Sequence, residues 1–146
     1  GQQLYRIIPK AMLFAKTGRK LQLHGGGKSI RSFIHIEDVA EATRRIAIQG
    51  TPGSTYHVST TSTLSIRELV AQICQMTGVP FDDLVETTKD RLGKDEAYLL
   101  DTTRLRDDLG WSDSIDLRQG LAETLRWLEE NLSLLEQLPY DYRHRQ

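Results

Sequence analysis

The sequence predicts a small mixed α/β domain, and three observations carry that prediction. Apolar residues recur at helical spacing in several segments, short β-rich runs fall between them, and glycine or proline stands at most of the joins. The strands are too few and too brief for a complete doubly wound sheet. At 146 residues one core suffices, and the domain is read as residues 1–138 followed by a tail, 139–146.

The elements follow in order. Leu4, Ile7, Ile8, Ala11 and Ala15 mark a first helix ending near Gly18, with Pro9 either in its first turn or at a kink; the first-turn placement costs no hydrogen bond and is preferred. Leu21 to His24 alternates as a short strand, glycines intervene, and Ile30 to Ile36 reads as a second strand beyond a glycine turn. Glu37 and Asp38 open a helix, where acids suit the positive end of its dipole, and Gly50 with Pro52 and Gly53 closes it. Thr55 to Val58 is expected as a strand. Ser65 and Glu68 form a capping box, followed by Ile66, Leu69, Val70, Ile73 and Cys74 in helical period, with a stop at Gly78 to Pro80. Leu84 to Thr87 is expected as an edge strand. Asp101 or Thr102 caps a short helix that stops at Gly110, and Asp116 caps a long one with Leu117, Leu121, Leu125, Leu128 and Leu132 inward.

Composition removes several function classes. Nineteen Lys plus Arg against twenty Asp plus Glu leave a net charge of −1, so no global field attracts nucleic acid and any anion site must be local. Cys74 is the only cysteine, which rules out an internal disulfide framework, and His24, His35, His57 and His144 lack metal-ligand spacing. No apolar run has the length of a membrane span and the N-terminus lacks the layout of a signal peptide; a soluble, cytoplasmic protein is expected, with no membrane partner. Residue 1 is Gly, and the first helical pattern begins almost at once, as in a piece of a larger protein.

The run His24-Gly25-Gly26-Gly27-Lys28-Ser29 invites a phosphate-loop reading. A Walker A loop needs glycine where this chain has Gln22, and a dinucleotide fingerprint needs glycine where it has Lys28. Both fail, and a flexible β-turn is the plain alternative.

The residues that follow carry more. Arg31-Ser32-Phe33-Ile34-His35-Ile36-Glu37-Asp38 resembles a motif of the extended short-chain dehydrogenase/reductase family, the nucleotide-sugar (dTDP-glucose 4,6-dehydratase-like) epimerases and dehydratases. Flanking blocks are similar in the same order: Arg6-Ile7-Ile8-Pro9, Leu21-Gln22-Leu23-His24-Gly25, Tyr56-His57-Val58-Ser59, Ser65-Ile66-Arg67-Glu68-Leu69, Asp90-Arg91-Leu92-Gly93-Lys94-Asp95, and Asp101-Thr102-Thr103-Arg104-Leu105 with Leu109-Gly110-Trp111. The sequence departs from the family where Lys94 replaces a common His, Leu92 a proline, His24 an aromatic, and His57 and Ser59 the usual Asn and Gly.

The resemblance implies the C-terminal, substrate-binding part of a Rossmann-type enzyme whose N-terminal domain holds NAD or NADP and a Tyr-x-x-x-Lys pair. None of the five tyrosines here has Lys four residues on, so no catalytic residue, cofactor-binding residue or bound cofactor is assigned to this portion alone. It also implies a nucleotide diphosphate sugar as ligand, the chain's own Rossmann domain as partner, and a homodimeric parent. By resemblance Arg31 and Arg91 bind the diphosphate, for which a planar guanidinium fork is better suited than a point charge. Lys94 is a further donor. Arg6 either reaches the nucleotide phosphates or is a surface helix charge. Leu21, Leu23 and His24 occupy the strand that holds the base in relatives, although Leu21 and Leu23 are equally readable as core. Asp38 is read as structural. The reading from a different class is a noncatalytic binding or regulatory module of the same fold.

Overall fold

A computed structural model describes residues 3–90, 93 and 95–140. In chain order the elements are α1 (Ile7–Thr17), β1 (Leu21–His24), a 3-10 turn (Gly25–Gly27), β2 (Ile30–Arg31), α2 (Ile36–Gln49), β3 (Leu64–Ser65), α3 (Ile66–Thr77), α4 (Phe81–Leu84), β4 (Val85–Thr88), β5 (Ala97–Tyr98), α5 (Thr103–Leu109), α6 (Leu117–Glu130) and α7 (Leu132–Leu135). The mixed α/β class is the expected one. Where one core was expected there are two compact units, interleaved along the chain.

The first unit comprises Gly1–Lys28, Ser65–Lys94 and Leu121–Gln146. Its core is apolar. Ala11, Met12 and Leu13 of α1, Leu69, Val70 and Ile73 of α3, and Leu128 of α6 have no exposed surface, and Leu84 and Leu121 have 1% each. Pro9 lies in the first turn of α1, where a missing N–H leaves no broken bond, and left-handed Gly18 (φ 66°) ends the helix by donating to the Phe14 carbonyl. The capping box of α3 forms as expected: the Glu68 amide donates to Ser65 Oγ at 3.1 Å while Glu68 Oε2 accepts from the Ser65 amide at 2.7 Å. The short helices α4 and α7 were not foreseen; a single turn carries too little periodicity to be read.

The strands correct the sequence reading most. The runs on either side of the glycines do not pair with each other. β1 pairs in parallel with β4, Leu21 opposite Val85 through His24 opposite Thr88. Parallel pairing requires a long crossover, which is why neighbouring sequence does not reveal the partner.

The second unit comprises Ser29–Leu64 and Asp95–Gly120. β2 pairs in parallel with β5, Ile30 opposite Ala97 and Arg31 opposite Tyr98. The strand expected over Ile30 to Ile36 stops after Arg31, because His35 turns the chain into α2: its Nδ1 accepts from the Glu37 amide at 3.3 Å as the N-cap. No strand forms at Thr55 to Val58. Tyr56 and Val58 instead pack their side chains on a small cluster of Ala42, Leu105 and Trp111, so β-prone residues are used for packing without a ladder. Asp101 Oδ1 accepts from the Thr103 amide at 2.9 Å, and Gly110 (φ 59°) ends α5 as expected. Asp116 caps α6 by accepting from the Gln119 amide at 2.7 Å.

Candidate functional site

In the first unit Leu21, Leu23 and His24 lie in β1 and Arg6 at the start of α1. Leu21 and Leu23 point inward, 2% and 3% exposed, so their side chains are core and only their backbone is available to a ligand. Strand alternation explains this, since Gln22 between them is exposed. His24, at the strand's last position, sits opposite Thr88, with Thr88 Oγ1 and His24 Nδ1 2.8 Å apart in a hydrogen bond. Arg6 is exposed at the N-cap of α1, its guanidinium 5.4 Å from the centre of the Tyr5 ring and its carbonyl accepting from the Lys10 amide at 3.0 Å.

The glycine turn beyond His24 is closely packed. Gly25, Gly26 and Gly27 have φ of 60°, 67° and 73°, a left-handed run that side chains with a Cβ resist. A Cβ on Gly25 would fall on the Asp90 carboxyl group, 2.6 Å from Oδ1, and one on Gly27 would meet Leu23 Cδ2 at 2.8 Å and the Arg67 amide nitrogen at 2.9 Å. Gly26 has nothing within 4 Å at that position. This is no seat for a dinucleotide pyrophosphate: the space over Gly25 holds a carboxyl group, and like charges repel. This turn therefore does not fit NAD, and no reaction step is assigned to it here.

In the second unit Arg31 starts β2's exit toward α2. Its Nη1 donates to the Ile30 carbonyl at 2.6 Å and its Nη2 to the Asp95 carbonyl at 3.0 Å. The Ile30 amide donates to the Glu96 carbonyl at 2.7 Å, so two motifs distant in sequence meet where the 90–95 segment ends. The two bonds fix the guanidinium plane and leave its other N–H groups without a partner among the described residues. Arg91 and Lys94 lie outside the described residues.

Asp38 is buried, 4% exposed, and structural. Burial opposes its ionisation, but the Ser114 amide (3.0 Å), the Ile115 amide (3.0 Å) and Ser114 Oγ (2.8 Å) donate to it and hold its carboxyl below the usual range. It ties the start of α2 to the segment leading into α6. Asp113 is depressed in the same manner, burial being outweighed chiefly by Arg106, whose Nη2 is 2.6 Å away. Among the described residues no group of three or more His, Cys, Asp or Glu could hold a metal ion, and no helix is long and apolar enough to cross a membrane.

The contacts that sequence reasoning missed are Thr88 to His24, Asp95 to Arg31, and Asp90 to Gly25. Each joins residues far apart in the chain; Asp90 and Asp95 carried a signal, as the first and last residues of the Asp90 to Asp95 motif, and Thr88 carried none.

The family described as GDP-mannose 4,6 dehydratase matches residues 1–124. The dTDP-glucose 4,6-dehydratase of Streptomyces griseus is 31% identical over 133 residues, 91% of this chain and 40% of that protein. A trifunctional UDP-glucose 4,6-dehydratase/UDP-4-keto-6-deoxy-D-glucose 3,5-epimerase/UDP-4-keto-L-rhamnose-reductase of Arabidopsis thaliana is 32% identical over 126 residues, 86% of this chain and 19% of that protein. Among solved structures, the dTDP-glucose 4,6-dehydratase DesIV of Streptomyces venezuelae, with NAD and TYD bound, superimposes with a TM-score of 0.86 at 28% identity, covering 91% of this chain and 41% of that one. The chain thus spans about two-fifths of the length of the dTDP-glucose dehydratases it matches. It belongs to the GDP-mannose 4,6-dehydratase family, whose solved relatives are Rossmann-type short-chain dehydrogenase/reductase enzymes.

Proposed function

We propose that this member of the GDP-mannose 4,6-dehydratase family is the nucleotide-diphosphate-sugar-binding portion of an NAD-dependent nucleotide-sugar dehydratase or epimerase. The observation that carries the reading is Arg31: a guanidinium held by the Ile30 and Asp95 carbonyls, with further N–H groups unspent, at the motif shared with such enzymes. A diphosphate is the ligand this geometry suits, because two N–H groups can donate in parallel to two phosphate oxygens. Arg91 is assigned the same ligand, Lys94 and Arg6 are further donors toward phosphate, and the backbone of Leu21 and Leu23 with His24 is assigned to the base.

The chain carries neither a Tyr-x-x-x-Lys pair nor a dinucleotide fingerprint, so oxidation and return of the hydride are assigned to another part of the parent protein. Two charge-assisted arginine bonds contribute roughly 1.5 to 3 kcal/mol each, against about 8 kcal/mol for a micromolar ligand. This portion alone is therefore expected to bind nucleotide sugars weakly. The test is calorimetric titration of dTDP-, UDP-, GDP- and CDP-sugars into the full-length protein, wild type and Arg31→Ala. At least a tenfold loss (~1.4 kcal/mol) is expected, and equal affinities would remove Arg31 from the site.

A further inference from the structure

We propose that Asp90 is a positioning residue that locks the glycine turn at the end of β1. The proposal rests on the nucleotide-sugar reading for its functional consequence and on packing alone for the lock. β1 and β4 run in register to His24 opposite Thr88, and their side chains hydrogen-bond at 2.8 Å. Beyond that pair the two chains no longer share a ladder: one enters the left-handed glycines and the other a loop. Asp90 spans the gap. Its carboxyl group occupies the place of a Gly25 side chain, within 2.6 Å at Oδ1 of a Cβ position.

The turn is therefore held at both ends and open in the middle. Asp90 covers Gly25, the Leu23 side chain and the Arg67 amide cover Gly27, and Gly26 faces free space. Glycine at 25 is thus needed twice, for its positive φ and for the room the carboxyl group takes. The same placement explains a lysine-bearing glycine run that is not a phosphate loop: the anion over Gly25 belongs to the protein. With Asp90 seated, His24 has one position at the strand's end, and the carboxylate leaves the phosphates to the arginines.

Asp90 is exposed, so its replacement leaves the cores intact. In the full-length protein, Asp90→Ala is expected to speed amide exchange at Gly25 to Gly27 about tenfold without ligand and to weaken nucleotide-sugar binding about tenfold, with an unchanged thermal midpoint. Gly25→Ala is expected to weaken binding too, through its positive φ and through the clash with the carboxyl group, and the double variant to lose less than the product of the two single effects, because Asp90→Ala removes that clash. Unchanged exchange in Asp90→Ala would overturn the lock whatever the ligand data show. Raised exchange with affinity within twofold of wild type, or effects that multiply in the double variant, would overturn the positioning role. A wild type that binds no nucleotide sugar would instead overturn the functional reading, and the positioning role with it, while the exchange result still decides the lock.

Discussion

The two units are held together in different ways. Of the buried apolar residues among those described, only Ala42, Leu105 and Trp111 belong to the second unit; the rest, from Leu4 to Leu135, belong to the first. The buried polar residues divide the other way. Ser29, Asp38, Ser59, Thr60 and Thr102 all lie in the second unit, and the described part of the first has none. The first unit depends on area removed from water, which is non-directional and insensitive to pH. The second depends on directed bonds to a few carboxylates and a guanidinium, including Arg106, which donates to Thr102 Oγ1 at 3.0 Å and to Asp113 at 2.6 Å while lying 5.2 Å from the Trp111 ring centre. A cavity should therefore damage one unit, and a proton the other.

The largest expected effect is in the first unit. Leu69→Ala, at a side chain with no exposed surface, should cost about 3–4 kcal/mol by transfer and cavity terms together, read by urea denaturation. The loss of exchange protection should centre on α1 and α3. Protection lost first from α2 would erase the contrast. Next, Asp38→Ala removes the acceptor of two amides and a hydroxyl in a part-buried place and should cost about 1–3 kcal/mol. Its exchange signature should begin at Ser114 and Ile115.

Acid sharpens the comparison. Asp38 and Asp113 are both depressed below their ordinary values, so their contribution is fully present above an unfolded pKa of about 3.9 and is lost as pH falls through the lower folded values. Trp111 is buried in the second unit and Trp127 is half exposed in the first. In a Trp127→Phe background, fluorescence should therefore report the second unit loosening below about pH 4. Asp38→Asn should flatten that transition, and an unaltered curve would place the acid sensitivity elsewhere. The smallest effect is expected at Glu41, whose carboxyl is held at about 2 by hydrogen bonds from Arg44 and Arg45 on the exposed face of α2. Glu41→Gln should leave the thermal midpoint indistinguishable from wild type, because solvent screens such pairs.

How much of this was legible beforehand depended on distance along the chain. The α3 capping box, the Gly18 and Gly110 stops and the Asp116 cap were readable because each needs only residues within one turn. β1 was visible as a strand, but its pairing with β4 was not, since nothing in four residues names a partner in the eighties. Thr55 to Val58 misled because β-propensity describes fit to a half-buried surface and does not supply a neighbouring edge. In the candidate site, the burial of Leu21 and Leu23 followed from strand alternation once the core side was known. Asp90 was visible as a motif member, and its place over Gly25 was not.

The interleaving of the units constrains how such a chain could be divided. The backbone passes between them at 28, 64, 94 and 120. A single break anywhere within 29–120 therefore parts the segments of both, so neither unit corresponds to a continuous stretch that a protease could release or a gene rearrangement could transplant. To move either unit intact, the whole stretch has to be carried together.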